Sequence, residues 1–170
     1  MYRYFYTALN TLARDNFRGK RLEEILRLLQ IQADMRTIVN FYRLKRILGA
    51  GEGLLRQFLL PDITRFTEKE HEALIQAPTA AAVLTVLKTT VYGRRLGSID
   101  EGHVEIDIGR YLYDECKKSF RFSVYPTVVM FAYIVLAEKE TENITHIIEG
   151  VRYEVPPEKI APLLIGTDIR

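Results

Sequence analysis

Apolar side chains recur at helical spacing along most of this chain. Two neighbouring stretches follow the i, i+3, i+4, i+7 pattern of an amphipathic helix. Their apolar positions are Leu22, Ile25, Leu26 and Leu29 in the first stretch and Met35, Ile38, Val39 and Tyr42 in the second. We interpret them as two helices, because Asp34 is a suitable N-cap for the second one. Gly49 is a suitable end for that second helix.

Other local signals also predict helices. Thr67-Glu68-Lys69-Glu70 has the form of a capping box, which marks the start of a helix. Pro78 suits the first turn of a helix that continues to Leu87. A further amphipathic stretch begins with apolar residues at Val104, Ile108, Tyr111 and Leu112.

The segment from Val124 to Val135 is rich in β-branched residues, which are enriched in strands. We predict a helix nevertheless, because the segment contains no turn signal and continues into Ala137-Glu138-Lys139-Glu140. Pro156-Pro157-Glu158 predicts a short last helix that runs through Leu164 and ends at Gly166. Since no clear hairpin signal occurs anywhere, the predicted fold class is all-α.

A shift of 106 residues aligns two parts of the chain and indicates an internal repeat. It places Asp34 on Glu140, Thr37 on Asn143, Ile38 on Ile144, Arg46 on Arg152, Glu52 on Glu158 and Leu59 on Ile165. Each copy combines a helix with an acidic start and a basic last turn, a Gly or Pro break and a short helix that begins with Glu. The alternative is chance similarity between two amphipathic helices.

Charge is unevenly distributed between the two ends of the chain. Residues 1–100 contain 16 Lys and Arg against 10 Asp and Glu, a net charge of +6, and residues 101–170 contain 8 against 12, a net charge of −4. This asymmetry suits a protein held between unlike partners, but ordinary surface variation gives the same pattern. We predict a helical bundle unit at 1–100 and a second helical unit at 101–170 that packs back on it.

The residue types that carry catalysis or bind metals do not form a recognisable set. The glycine-rich stretch 49–53 follows a helix, lacks the Lys-Ser/Thr of a phosphate loop and contains Glu52, which would repel phosphate. His71, His103 and His146 are far apart and have no partner at metal-ligand spacing. We therefore expect no enzymatic activity, no cofactor and no metal site.

Two further candidates have structural explanations. The acidic residues Asp100, Glu101, Glu105 and Asp107 resemble a carboxylate site, but acids near the start of a helix usually complement its dipole. Cys116 is the single cysteine, and on an amphipathic helix we interpret it as packed and inert.

The longest apolar run, Val124 to Ala137, is shorter than the roughly 20 residues that cross a bilayer, so we expect no membrane span.

Two groups of residues are candidates for partner binding. Arg36, Arg43 and Arg46 fall within about 80° on a helical wheel and form a basic stripe that could meet an acidic partner. A second group consists of aromatic residues. Four of them lie within the first six residues, more than a solvated terminus needs, and exposed apolar patches usually mark contacts. These aromatic residues are Tyr2, Tyr4, Phe5 and Tyr6, together with Tyr111 and Tyr113. The alternatives are a solvated helix face for the arginines and a terminal helix docked into its own core for the aromatics.

The two repeat segments resemble those of a known family, the C-type and d-type subunits of V/A-type rotary ATPases. Ala33-Asp34-Met35-Arg36-Thr37-Ile38, followed by Arg43-Leu44-Lys45, is similar to one segment of that family. Lys139-Glu140-Thr141-Glu142-Asn143-Ile144 through Gly150-Val151-Arg152, and then Val155 to Ile160, resemble its closing segments. The chain departs from the family pattern at Thr37, where the family favours Asn, and at Glu149.

The resemblance implies a non-catalytic structural role. The family forms a funnel of three similar helical bundles on the cytoplasmic side of a rotary ATPase, peripheral to the membrane through other subunits. It couples the central rotor stalk to the membrane proteolipid ring in proton or sodium transport, without a cofactor of its own. Because family members are about twice as long, this chain is expected to correspond to the later half, with about one and a half repeats. Self-association is then possible through the surface that the other half would cover.

Two other functions stay open from the residues alone. One is a helical adaptor or scaffold unrelated to ATPases, which co-purification with stalk and ring subunits would distinguish. The other is a nucleic-acid-binding module that combines the basic stripe with Arg14, Arg18, Lys20 and Arg21. Its binding would weaken steeply with salt. We rank it lower because residues 101–170 are acidic and contain no known nucleic-acid-binding module.

Overall fold

A computed structural model describes residues 2–96, 99 and 101–167 of the protein, without the side chain of Tyr2. The described residues are helical with no strand, which confirms the predicted all-α class. The helices are α1 (Tyr2–Asn16), α2 (Gly19–Leu48), α3 (Glu52–Arg56), α4 (Glu68–Gln76), α5 (Ala80–Thr89), α6 (Gly93–Leu96), α7 (Val104–Phe122), α8 (Pro126–Arg152) and α9 (Pro157–Ile160). A 3₁₀ turn, Ala161–Leu163, follows α9.

The chain divides into two compact units, residues 1–104 and residues 105–170. In the first unit, α1 and α5 both pack on α2, and α4 packs on α5. Because α2 is covered from more than one side, its buried positions form a broad face. They are Ile25, Leu28, Leu29, Ile31, Ala33, Asp34, Met35, Thr37, Ile38, Phe41 and Tyr42. The core of this unit therefore lies along α2.

The prediction of two helices across residues 22–48 is wrong. α2 is one helix of 30 residues, and Asp34 lies in its middle instead of capping a helix start. No Gly or Pro separates the two predicted helices, so nothing in the backbone ends the first one. The side chain of Asp34 contacts other segments of the chain, as described below. The predicted end at Gly49 is confirmed, since this residue has the left-handed φ of 56° and its N–H reaches the carbonyl of Lys45.

Several other helix signals are confirmed. Thr67 and Glu70 form a reciprocal capping box at the start of α4. The β-branched segment after Val124 is helical and belongs to α8, which has 27 residues. The prediction for Pro78 is wrong by two residues, because α5 begins at Ala80 and the hydroxyl of Thr79 caps it by accepting the N–H of Ala82.

In the second unit, the segment that follows α8 reverses direction and packs against α8. α9 packs on α8, and Gly150 provides the space, because a Cβ there would overlap a methyl carbon of Ile160. Gly166 has a φ of 76°, a conformation that favours glycine. The 34–60 and 140–166 segments share the order long helix, break and short helix; that they superpose stays a prediction.

Candidate partner-binding surfaces

The three arginines of the predicted basic stripe occupy different environments on α2. Arg36 is half-buried, whereas Arg43 and Arg46 are exposed. The guanidinium of Arg46 lies 3.3 Å from the hydroxyl of Tyr42 and 3.5 Å from the carbonyl oxygen of Glu101. The Tyr42 hydroxyl donates to that same carbonyl at 2.7 Å. Arg46 is therefore anchored at the C-terminal end of α2, about 15 Å along the helix axis from Arg36.

Arg36 lines a small groove between helices of the first unit. The groove has a volume of about 120 Å³, and its lining residues are Arg3, Arg36, Thr37, Asn40, Gln57, Phe58 and Leu60. Two guanidinium groups, from α1 and α2, thus border a groove that also offers two amide side chains. Guanidinium groups bind carboxylates through paired N–H donors. The groove therefore has the chemistry to accept an acidic side chain from a partner.

Helix α1 contributes Arg3 to the groove and carries exposed aromatic residues directly after it in the sequence. Arg3 belongs to α1, next to Tyr4 and Phe5. Tyr4 is 87% exposed and Phe5 is 54% exposed, so both present apolar area to solvent. The side chain of Tyr2 lies outside the described residues. Arg3 and Arg36 share the groove, and Tyr4 and Phe5 follow Arg3 on α1; we call these four residues the α1–α2 surface.

Two aromatic residues proposed for this role lie in the core instead. Tyr6 is 1% exposed, and its ring packs edge-on against Phe5 at a centroid distance of 5.4 Å. Tyr111 is 9% exposed on α7. Their prediction as exposed contact residues is wrong, because both lie on the buried sides of their helices. Tyr113 is half-buried.

The other basic residues near the start of the chain belong to the junction between α1 and α2. The guanidinium of Arg18 donates to the carbonyl oxygens of Arg14, Asp15 and Phe17 at the end of α1. That of Arg21 lies 4.5 Å from the ring centre of Phe17. These groups satisfy carbonyls at a helix end and cover an aromatic ring. Their arrangement has a structural explanation that does not require nucleic acid.

A buried carboxylate holds three segments of the first unit together. Asp34 is 2% exposed. Its Oδ1 accepts the hydroxyl of Thr64 at 2.6 Å, and its Oδ2 accepts the N–H of Arg65 at 2.8 Å and the hydroxyl of Tyr92 at 2.5 Å. The contacts connect the middle of α2 to the loop before α4 and to the turn after α5. We call these groups the Asp34 network.

Opposing effects act on the pKa of Asp34. Their net result raises it from 3.8 to about 6, and the largest effect is burial, because the charged form loses water. Hydrogen bonds from Thr64, Tyr92 and the backbone of Arg65, together with the charge of Arg65, lower it but do not cancel the effect of burial. Near neutral pH the site therefore holds a carboxylate that is poorly solvated and depends on its protein donors.

His71 extends the network by one residue. Its Nε2 lies 3.3 Å from the Thr64 hydroxyl oxygen, which also accepts the N–H of Phe66 at 3.0 Å. Because Thr64 gives its single hydroxyl proton to Asp34, the imidazole must carry its proton on Nε2 and donate it to Thr64. Burial lowers the pKa of His71 and so favours the neutral ring, whereas the charge of Glu70 acts in the opposite direction.

The second unit has its own polar contact between distant segments. The side-chain amide of Asn143 on α8 donates to the carbonyl of Ile165 at 2.8 Å and accepts the N–H of Ile165 at 2.9 Å. Arg110 of α7 donates to the carbonyl of Pro162 at 2.7 Å. These bonds hold the segment after α9 against α7 and α8. Asn143, which belongs to one of the family-like segments, thus has a structural role.

The residues considered for chemistry are dispersed. Cys116 is completely buried, which confirms its interpretation as a packed side chain. Glu105 and Asp107 lie in the first turn of α7, in agreement with a helix-dipole role, while Asp100 lies outside the described residues. Within residues 2–96, 99 and 101–167, no three His, Cys, Asp or Glu side chains are grouped as metal ligands. Across the same ranges, no helix is both long and apolar enough to cross a membrane.

Comparison with known proteins gives one family match. The model of the family described as ATP synthase (C/AC39) subunit matches residues 1–163. No curated protein and no solved structure matches the chain. The match covers both units almost completely.

Proposed function

Since this chain belongs to the ATP synthase (C/AC39) subunit family, a family of non-catalytic V/A-type ATPase subunits, we propose that it couples the central rotor stalk to the membrane proteolipid ring. Its partners in this role are the stalk subunits and the ring, and it is peripheral to the membrane through them. The complex transports protons or sodium ions. In this proposal, the α1–α2 surface binds an acidic surface of a partner protein, and this surface is the main structural support for the proposal.

The chemistry of the α1–α2 surface supports this assignment. Arg3 and Arg36 border one groove, and Arg43 extends the positive charge along α2. Tyr4 and Phe5, which follow Arg3 in the sequence, add exposed aromatic area on α1. Aromatic residues and arginine are the types most enriched at the centres of protein interfaces.

A protein in this position must also transmit force without deforming. The Asp34 network supports that requirement, because one buried carboxylate connects three segments that are far apart in sequence. Fully satisfied buried polar networks make a core more rigid and more specific. The packed helices on both sides of α2 add a closely packed interior with low compressibility.

Charge reversal on α2 tests the proposal. The variant Arg36→Glu, Arg43→Glu, Arg46→Glu is expected to lose co-assembly with the stalk and ring subunits in a reconstitution measured by size-exclusion chromatography. A matched control, Lys20→Glu, Lys88→Glu, Arg94→Glu, makes the same change in net charge at exposed positions of the first unit. It should assemble almost normally.

Two measurements separate an interface defect from a folding defect. The helical content and the melting temperature of the triple Arg variant should stay close to those of the unaltered chain. Because Arg46 contacts Tyr42 and Glu101, the double variant Arg36→Glu, Arg43→Glu is measured as well. Unchanged assembly in both variants would exclude the α1–α2 surface as the contact, and equal loss in the control would show only a net-charge effect.

A further inference from the structure

Helix α8 has apolar side chains on two opposite sides. One side is buried through Val128, Ala132, Val135 and Gly150. The opposite side is exposed, with Met130 at 60%, Ile134 at 58%, Ile144 at 51%, Ile148 at 61% and Val151 at 70%. At 100° per residue, these five side chains fall within an arc of about 100°. We call them the α8 strip.

The α8 strip is long and consists of two groups, Met130 and Ile134 near the start of α8 and Ile144, Ile148 and Val151 near its end, with the exposed Thr141 between them. It extends over about 30 Å of helix, between the first and the last turns of α8. A surface helix of a globular protein usually has one apolar side, which faces the core, and polar residues on the opposite side. The described residues cover only one side of this helix, so the second side presents an apolar surface of the kind that marks a contact.

The charges beside the strip define the kind of partner. Glu138 and Glu149 lie along one edge, Glu140 lies along the other, and all three are exposed. Of the basic residues of α8, Lys139 points away from the strip and binds Glu142 at 2.7 Å. Arg152, in the last turn, falls within the arc of the strip and lies 5.7 Å from the ring centre of Tyr153. With three exposed glutamates against this one arginine, the edges of the strip are mainly acidic.

We propose that the α8 strip docks an amphipathic helix of a partner protein whose apolar stripe is flanked by lysine or arginine. Such a helix buries the isoleucines and places its charges opposite Glu138, Glu140 and Glu149. This surface is distinct from the α1–α2 surface, and it lies in the acidic part of the chain. The proposal concerns a second contact and does not depend on the coupling role.

The charge pattern distinguishes this partner from other occupants. A second copy that paired its strip in antiparallel orientation would bring the two Glu140 side chains to the same level on the same edge. Like charges at that position oppose pairing. A lipid surface is also disfavoured, because helices that bind lipid carry Lys and Arg beside their apolar face.

Binding of designed peptides to the full chain tests the proposal. One probe is a helical peptide with a leucine stripe flanked by lysines, and the matched probe has glutamates in place of the lysines. Fluorescence anisotropy of labelled peptide is expected to show binding of the lysine peptide at least about tenfold tighter than that of the glutamate peptide. The double variant Glu138→Lys, Glu140→Lys should lose or reverse this preference.

Two further variants identify the apolar contact. Ile144→Asp, Ile148→Asp should reduce binding of the lysine peptide by at least about tenfold. The control Phe122→Asp, Val124→Asp changes two apolar side chains that are 79% and 82% exposed but lie outside α8, and it should bind normally. If the isoleucine variant loses helical content, the charge-reversal variant decides alone, since its two glutamates are exposed.

Three outcomes would overturn the proposal. Equal affinity for both peptides would show general hydrophobic adhesion, and an unchanged preference after charge reversal would place the site elsewhere. Light scattering that found a dimer, converted to monomer by Ile144→Asp, Ile148→Asp, would assign the strip to a second copy.

Discussion

The hydroxyl of Tyr92 donates a hydrogen bond of 2.5 Å to the carboxylate of Asp34, which lies 58 residues earlier in the chain. Both side chains are buried, Tyr92 at 0% and Asp34 at 2% exposure. The bond fixes the turn after α5 to the middle of α2. Because α5 itself packs on α2, this polar contact sets the register of a largely apolar interface.

Removal of the Tyr92 hydroxyl should destabilise the protein. In Tyr92→Phe, Oδ2 of Asp34 keeps only the N–H of Arg65 among its described donors. A buried acceptor that loses a partner typically costs about 1–3 kcal/mol. Denaturant unfolding should show this loss, while Tyr133→Phe, at a residue 54% exposed, should change the free energy of unfolding little. Equal stability of the two variants would contradict the importance of the network.

The stability of the protein should depend on pH through Asp34. Its folded pKa of about 6 lies above the ordinary value of 3.8. Between these values the folded chain binds more protons than the unfolded chain, so stabilisation from this group is complete below about pH 4 and is lost as the pH rises through about 6. On acidification from pH 7 to pH 4, the unaltered protein should gain about 2–3 kcal/mol relative to Asp34→Asn.

Comparison of the two proteins isolates Asp34 from other titrating groups. Burial lowers the pKa of His71, so its protonation at low pH acts in the opposite direction. His71 is present in both proteins, and its effect largely cancels in the difference. Urea unfolding at several pH values gives the two curves, and parallel curves would exclude a raised pKa at Asp34.

Loss of the Asn143 amide should release the segment after α9. Asn143→Ala removes both hydrogen bonds to Ile165, and we expect a destabilisation of about 1–3 kcal/mol. In this variant, amide hydrogen exchange at Ile165 should be faster than in the unaltered protein, and the increase should be larger at Ile165 than at other residues. Thr145→Ala is the control, because its hydroxyl donates within α8, to the carbonyl of Thr141. Unchanged exchange at Ile165 would contradict the assigned role.

The proposed repeat predicts a stabilising substitution. Thr37 is the counterpart of Asn143, but its hydroxyl bonds to the carbonyl of Ala33 within α2, and it borders the groove near Phe58. If the two segments superpose, the amide in Thr37→Asn reaches the backbone of Leu59, the counterpart of Ile165. We expect Thr37→Asn to raise the free energy of unfolding by about 0.5–1 kcal/mol, measured by thermal unfolding, whereas Thr37→Ala should lower it. An experimental structure with unrelated packing in the two segments would contradict the repeat.

Helices and their ends follow from local sequence, because caps and breaks act over a few residues. The capping box at Thr67, the αL end at Gly49 and the helix after Val124 are all predictable from neighbouring residues. The segments around Asp34 and Asn143 carry the resemblance to the family, whose model matches residues 1–163. Local reasoning fails at Asp34, because the pattern contains a good N-cap residue with no Gly or Pro to end the preceding helix.

The role of each polar group and the exposure of each apolar one come from tertiary packing. Asp34 contacts Thr64, Arg65 and Tyr92, which no helical periodicity connects to it. Tyr6 and Phe5 are adjacent, yet one is buried and the other is exposed. The helices, the charge asymmetry and the family can be read from the amino-acid order alone. The Asp34 network, the Arg3–Arg36 groove and the uncovered side of α8 depend on which helices pack together, because burial and long-range hydrogen bonds are properties of the packed chain.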